Sequence, residues 1–224
     1  MKAQIFTETV LWQLGPLPVT RTMVTSLATT GLLVLLAVLL ARAVRRAPEG
    51  RLAALGRLVL RSLGSLVEEA AGTPAPWLES FAASLFLFIS GAAVVGQLPG
   101  IPAPTANLAA TSALAVLVFL AVPVAGVHAR GWRDYFRHYL SPNPILFPLH
   151  VMTELSRTVA LALRLFGNMM SGHLVVALIV ALAGLFVPVP LMALDLFIGI
   201  LQAYIFTILA CVYIGAAIRI GDAP

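Results

Sequence analysis

The sequence predicts an all-α integral membrane protein with about five transmembrane helices, and three observations lead to this fold class. Of the 224 residues, 60% are hydrophobic and 10% are charged, whereas a soluble domain carries roughly 25% charged residues. The mean hydropathy is +1.00. Several apolar stretches are each long enough to cross about 30 Å of hydrocarbon, which takes about 20 helical residues. Little of the chain is left for a soluble domain.

The segments between the predicted spans carry the charges that set their orientation. The spans cover residues 22–44, 77–98, 108–127, 150–183 and 190–219. Arginines cluster between them, within residues 42–46 and 128–138 and at Arg219. Because positively charged loops stay in the cytoplasm, we expect the N-terminus outside and the C-terminus in the cytoplasm. Arginines in such topology-setting runs also argue against nucleic acid as a partner, despite a net charge of +5.

Two segments near the N-terminus allow a second interpretation. Residues 41–43 resemble a signal-peptide cleavage site, but the length of the apolar run and the positive charge after it favour a retained first span. Residues 49–71 alternate arginine with leucine and valine at helical spacing, which predicts an amphipathic helix on the cytoplasmic membrane surface. A plain cytoplasmic linker is the alternative. The single cysteine, Cys211, excludes an intrachain disulfide framework and a cysteine-only metal site, and we expect no metal and no cofactor.

The last two predicted helices are longer than a membrane requires. Residues 150–183 would form a helix about 50 Å long, at about 1.5 Å per residue, and residues 190–219 a helix of nearly the same length. A straight helix of about 50 Å fits into about 30 Å of hydrocarbon only at a tilt of roughly 50°, beyond the usual range. We therefore expect both helices to be strongly tilted and to be supported by a large protein partner.

Polar side chains inside these two helices are the candidate functional residues, because ionisable groups are costly in a membrane span. In an antiparallel hairpin, residues at equal depth have position numbers with a constant sum. Three pairs of positions have sums of 366 to 368, and each contains at least one polar side chain. They are Arg164 with Gln202, Asn168 with Gly199, and His173 with Asp195. The sequence thus predicts the Arg164 layer near the middle of the membrane. His173 and Asp195 are predicted to face each other about 13 Å nearer the outside.

Each of these features also has a purely structural interpretation. Arg164 could be held by backbone carbonyl groups, and His173 and Asp195 could form a hydrogen bond that serves packing alone. Glu154 and Arg157, three residues apart, could be an interfacial ion pair. The depth of Arg164 favours a functional role, since its side chain cannot easily reach water from there.

Two stretches of the long helices resemble a known family. Leu163-Arg164-Leu165-Phe166-Gly167-Asn168-Met169 is similar to the signature of subunit a of F-type ATP synthases. Leu201-Gln202-Ala203-Tyr204-Ile205-Phe206 resembles the companion motif on the last helix of that family, and Glu154-Leu155-Ser156-Arg157 fits the approach to the signature. The resemblance implies a single domain over residues 1–224. Residues 188–195 further resemble the N-type subgroup of some bacteria.

The resemblance implies a mechanism. Members of the family press two tilted helices against a ring of c subunits and carry H⁺ or Na⁺ to and from the ring carboxylates through two offset half-channels. The expected ion-translocating residues are Arg164, Asn168, Gln202, His173, Asp195, Glu154 and Ser156. Arg164 would separate the half-channels. His173 and Asp195 would line the outer half-channel, and Glu154 and Ser156 the cytoplasmic one.

The chain also departs from the family pattern. Asn107 and Ala109 stand at the start of the third span, where the family often has an aspartate and an asparagine. His173 and Asp195 have their residue types exchanged between the two helices, and the depth pairing predicts that either order works. Arginine at position 164 is favoured independently, because it stays protonated when buried and its charge promotes ion release from an approaching carboxylate.

The expected partners are the c-subunit ring, the b-subunit peripheral stalk, the rest of an F-type ATP synthase and the lipid bilayer, in a bacterial inner membrane that the chain crosses several times. The sequence has no nucleotide-binding motif, so we expect no catalysis by this chain alone. A self-contained secondary ion transporter, with its site between the tilted helices, is the main alternative. It predicts an inverted repeat, which the sequence lacks. A structural scaffold would not explain depth-matched polar groups around one arginine.

Overall fold

The computed structural model describes residues 10–14, 17–46, 50–72, 76–98, 104–133, 147–184 and 187–219. Long helices make up most of this part of the chain, in agreement with an all-α membrane protein. They are α1 (Arg21–Arg46), α2 (Arg51–Ala71), α3 (Pro76–Gly96), α4 (Leu108–Arg130), α5 (Phe147–Ala183) and α6 (Val189–Arg219). Two short antiparallel strands, β1 (Val10–Leu14) and β2 (Leu17–Thr20), precede α1 and were not predicted.

Four helices in the described part of the chain are long and apolar enough to cross a membrane. Their apolar stretches are Pro76–Gly96, Leu108–Ala129, Val151–Leu182 and Val189–Ile218. In α1 the described apolar stretch is Ser26–Leu35, so the fifth span stays a prediction. The Leu33 side chain of α1 packs against Gly91 of α3, where an added Cβ would come within 2.7 Å of it.

The helix α6 occupies the centre of the bundle. It packs against α2, α3, α4 and α5, and its most extensive interface is with α3. One core cluster joins α3, α4, α5 and α6 through buried residues that include Ile89, Val118, Leu165 and Phe206. A second cluster, around Leu78 and Ile214, has α2 in place of α5. The helices α3, α4 and α6 are therefore common to both parts of the core.

The amphipathic pattern of residues 49–71 corresponds to α2. Val67 is buried among residues of α3, α4 and α6, whereas the side chains of Arg51, Arg57 and Arg61 are exposed. The helix thus buries its apolar face against the bundle and leaves its basic residues outside, which favours an ordered helix over a plain linker. Its location on the membrane surface stays a prediction.

The two long helices differ in how much of them this chain covers. α5 has 37 residues and α6 has 31, so their excess length is confirmed, while their tilt stays a prediction. In one 18-residue apolar window of each helix, 44% of the α6 residues are buried but only 11% of the α5 residues. The buried residues of α5 form one strip, which comprises Leu161, Ala162, Leu165 and Met169. The other described residues of α5 are exposed or only partly buried.

Candidate functional site

The two long helices run antiparallel in the predicted register. A Cβ added at Gly172 of α5 would overlap the carboxylate of Asp195 on α6. One added at Gly199 of α6 would come within 3.3 Å of Met169 Cε on α5. The position numbers of these pairs add up to 367 and 368, which lies within the predicted range. The depth pairing between α5 and α6 is therefore present at two layers.

Asp195 is held between two neighbouring helices. On one side, Gln97 Nε2 at the end of α3 donates a hydrogen bond to Asp195 Oδ2 at 2.8 Å. On the other side, Gly172 leaves the space that the carboxylate occupies. An amide N–H is a natural partner for a carboxylate, which accepts hydrogen bonds when ionised. The position of Asp195 thus depends on the hydrogen bond from Gln97 and on the lack of a side chain at Gly172.

His173 lies beside the same end of α3. Its Nδ1 is 2.8 Å from the carbonyl oxygen of Met169, and its Nε2 is 3.1 Å from the carbonyl oxygen of Gly96. Both partners are acceptors, and a neutral imidazole has a single N–H. A neutral ring therefore satisfies one of the two contacts at a time, and a doubly protonated ring satisfies both.

The expectation that His173 and Asp195 face each other stays a prediction. Within the described part of the chain, the two side chains contact the consecutive residues Gly96 and Gln97, and they form no hydrogen bond with each other. The positions are also not equivalent. A carboxylate at position 173 would meet two carbonyl oxygens, whereas the carboxylate of Asp195 meets a donor. These contacts do not support the expectation that the two residue types can be exchanged.

An open pocket of about 180 Å³ adjoins Asp195 between α5 and α6. Asn168 and Ser171 contribute polar groups to its lining, and the rest is largely apolar. The Ser171 hydroxyl donates to the carbonyl oxygen of Asn168 at 3.0 Å, so its hydrogen is used within its own helix. The pocket has room for several water molecules. Water could therefore reach Asp195 from this side.

Arg164 and Gln202 lie in opposite environments. The Arg164 side chain is exposed on α5, and it forms no ion pair or hydrogen bond with the residues that the structure describes. Gln202 on α6 is only 7% exposed, and its Nε2 has no hydrogen-bond partner among those residues. A guanidinium on an apolar helix needs a counter-charge or water, because burying an uncompensated charge in hydrocarbon is costly.

The structure does not bring together the two residues expected in the cytoplasmic half-channel. Glu154 is partly buried and pairs with Arg157 at 3.6 Å. Arg157 in turn lies over the ring of Tyr213 on α6, 5.2 Å from its centroid. Ser156 is exposed, and two residues along an α-helix point roughly 200° apart, so it lies on a different face from Glu154. The interfacial ion pair describes the geometry of Glu154 well.

Asn107 has a structural role at the start of α4. Its side-chain oxygen accepts a hydrogen bond from the backbone N–H of Ala109 at 2.8 Å, which is the typical contact of an N-cap asparagine. The cap explains an asparagine at this position without any part in a channel.

Sequence reasoning missed Gln97 and Gly172. The position numbers of Gln97 and Asp195 add up to 292, and so do those of Ala93 and Gly199, which pack closely between α3 and α6. Two helices lie between α3 and α6 along the chain, so the sequence alone did not give the register that relates Gln97 to Asp195. Gly172 carries no polar group, so nothing but its neighbours reveals its importance.

Comparison with known proteins decides the family. The family model described as ATP synthase A chain matches residues 23–215. The chain belongs to this family. Subunit a 2 of the ATP synthase of Bradyrhizobium sp. strain BTAi1 is 41% identical over 97% of both chains. The subunit a 2 of Pelobacter propionicus is 44% identical over 95% of this chain and 93% of its own.

Membership of the ATP synthase A chain family confirms the resemblance found in the sequence. A third relative, subunit a 2 of Picosynechococcus sp. strain PCC 7002, is 49% identical over 66% of this chain and 64% of its own. With its four apolar helices, the protein is a membrane component of an ATP synthase, and the relatives named here are bacterial. The N-type subgroup stays a prediction.

Proposed function

We propose that this protein is the stator subunit a in the Fo sector of an F-type ATP synthase. In this role it carries H⁺ or Na⁺ to and from the carboxylates of a c-subunit ring through two offset half-channels, and so couples ion flow to rotation. It catalyses no reaction on its own. The observation that carries the proposal is the exposed guanidinium of Arg164, which has no partner among the described residues, on the uncovered face of a long apolar helix.

The c-ring would cover the exposed face of α5. Arg164 lies there at the depth of Gln202, and Asn168 follows one helical turn later. A ring carboxylate that arrives at this depth would supply the counter-charge that Arg164 lacks among the described residues. The guanidinium would favour the ionised form of that carboxylate and so release its bound ion. Its positive charge would also oppose direct passage of cations between the two half-channels.

The outer half-channel would lead through the pocket at Asp195. The pocket has room for water, and Gln97 orients the Asp195 carboxylate. His173 of α5 contacts Gly96, the residue next to Gln97 at the end of α3. An ion would pass from this pocket along Asn168 toward the depth of Arg164. The cytoplasmic half-channel would begin near Glu154, whereas Ser156 lies on a different face of α5.

The proposed assembly places the chain in a bacterial plasma membrane with its N-terminus outside and its C-terminus in the cytoplasm. The c-ring would contact α5 and α6, and the b-subunit stalk would hold the chain against the rest of the complex. The alternative hypothesis, a self-contained secondary ion transporter, predicts that this chain transports ions without a ring. Co-purification with a ring of small hairpin subunits would separate the two proposals, because a self-contained transporter would purify alone and still transport.

The decisive experiment replaces Arg164 by alanine in the whole complex. The expected result is loss of ATP-driven ion pumping in vesicles, while passive ion flux through the membrane sector persists or rises. The side chain is exposed, so its removal should leave folding and assembly with the ring unchanged, which a subunit assay of the purified complex checks. An assembled Arg164→Ala complex that pumps at the normal rate would refute the proposed function.

A further inference from the structure

The interface between α3 and α6 has a fixed antiparallel register. Gln97 bonds to Asp195, and a Cβ added at Gly199 would lie 2.8 Å from the Cβ of Ala93. In both pairs the position numbers add up to 292. This interface lies between residues 90–97, at the end of α3, and residues 195–202 of α6. We call it the α3–α6 seam.

Ser90 and Gln202 form another layer of the same seam. Their position numbers also add up to 292, which places them at equal depth. Ser90 precedes Gln97 by seven residues, and Gln202 follows Asp195 by seven. Seven residues are about two turns of an α-helix, so each side chain returns to the face that its helix turns toward the other. The register therefore brings Ser90 and Gln202 opposite each other.

Both residues of this layer have a buried polar atom without a partner. Ser90 Oγ and Gln202 Nε2 are buried and form no hydrogen bond within the described part of the chain. The other serines of α3 differ, because Ser80 and Ser84 donate to carbonyl oxygens of their own helix at 3.2 and 2.7 Å. Buried polar groups in proteins nearly always have a partner, and that partner is often an ordered water molecule.

We propose that one buried water molecule binds between Ser90 Oγ and Gln202 Nε2, and that Ser90 thereby positions the Gln202 side chain. The Gln202 amide donates to the water, and the water shares a second hydrogen bond with the Ser90 hydroxyl, which can donate or accept. Toward Asp195 the site is closed by the tight contact of Ala93 with Gly199. The water is therefore separate from the pocket at Asp195.

The bound water would determine the orientation of the Gln202 carboxamide. Because Gln202 Nε2 donates to the water on the side of α3, the carboxamide oxygen of Gln202 remains free to accept a hydrogen bond. Its donor would lie at the depth of Arg164. This consequence rests on the proposed function, whereas the water site itself does not. Ser90 would act on transport through Gln202 and without touching the ion.

The site is tested directly by an experimental structure of the assembled complex at a resolution that reveals ordered water. We expect density for a water molecule within about 3 Å of both Ser90 Oγ and Gln202 Nε2. A direct hydrogen bond between the two side chains, or a layer without such density where other buried waters are visible, would overturn the proposal.

The positioning role is tested by pumping in vesicles that contain the whole complex. Ser90→Ala should lower ATP-driven pumping roughly three- to tenfold, the effect of one net hydrogen bond. Ser90→Thr keeps the hydroxyl and should retain most of the activity. Ser84→Ala, on the same helix, is the control and should have no effect. If packing volume mattered instead, the smaller alanine would be harmless and threonine harmful, and this result would overturn the positioning role.

The two proposals fail in different ways. Pumping by an assembled Arg164→Ala complex removes the proposed function, whatever the density at Ser90 shows. Loss of pumping in Arg164→Ala together with normal pumping in Ser90→Ala overturns the positioning role alone.

Discussion

Replacement of Gly172 by alanine should displace Asp195 and slow ion transport without preventing assembly. The added Cβ would occupy the volume that the Asp195 carboxylate fills. The carboxylate can rotate about its side-chain bonds at less cost than two packed helices can separate, so it should be the group that moves. It would then lose the hydrogen bond from Gln97 Nε2, which is 2.8 Å long.

The size of the effect follows from that hydrogen bond. A hydrogen bond to a charged group contributes about 1.5–3 kcal/mol, and each 1.36 kcal/mol corresponds to about a tenfold change in rate. If transport requires Asp195 in this position, Gly172→Ala should lower the pumping rate about ten- to a hundredfold. Gln97→Leu removes the same bond from the other side and should have a similar effect. Because both changes act on one contact, the double variant should be little worse than Gly172→Ala.

The assay is ATP-driven pumping by the purified complex in vesicles, with the amount of assembled complex measured in parallel. Gly31→Ala is the control, since a Cβ added there has no neighbour within 4 Å. Equal pumping rates in Gly172→Ala and Gly31→Ala would refute the dependence of transport on the position of Asp195.

Two further predictions concern packing and residue type. Gly199→Ala should destabilise the complex by roughly 1–3 kcal/mol, because its Cβ would lie 2.8 Å from that of Ala93 and overpacking has about that cost; an unchanged thermal midpoint of the assembled complex would contradict this. The exchange of His173→Asp with Asp195→His should pump no better than Asp195→His alone, because the new carboxylate would face the carbonyl oxygens of Gly96 and Met169. Recovery in the double variant would show that the two positions are interchangeable after all.

The helices were predictable because lipid leaves the chain few choices. In hydrocarbon every backbone polar group must be satisfied within the segment, so a long apolar run has to form a helix. The predicted spans 77–98 and 108–127 agree with α3 and α4 to within a few residues. The start of α5 was placed three residues late, at 150 instead of Phe147. Pro148 lies in the first turn of this helix, where proline is tolerated.

The site was predictable only where the two long helices are neighbours along the chain. Only five residues separate α5 from α6 along the chain, so equal depths could be counted from the sequence, and the contact of Gly172 with Asp195 agrees with that count. Two helices separate α3 from α6, and no turn determines their register. The hydrogen bond from Gln97 to Asp195 therefore became visible only once the packing of α3 was known.

The difference in burial between the long helices has a mechanical meaning for a rotary machine. A turning ring pushes sideways on the helix that it touches, and a stator must resist that push without yielding. α6 is surrounded by four other helices, whereas α5 rests on the bundle along the strip of Leu161, Ala162, Leu165 and Met169. Close-packed interiors have low compressibility and transmit strain, so in the proposed assembly this narrow strip would pass the torque from the ring to the stationary part of the enzyme.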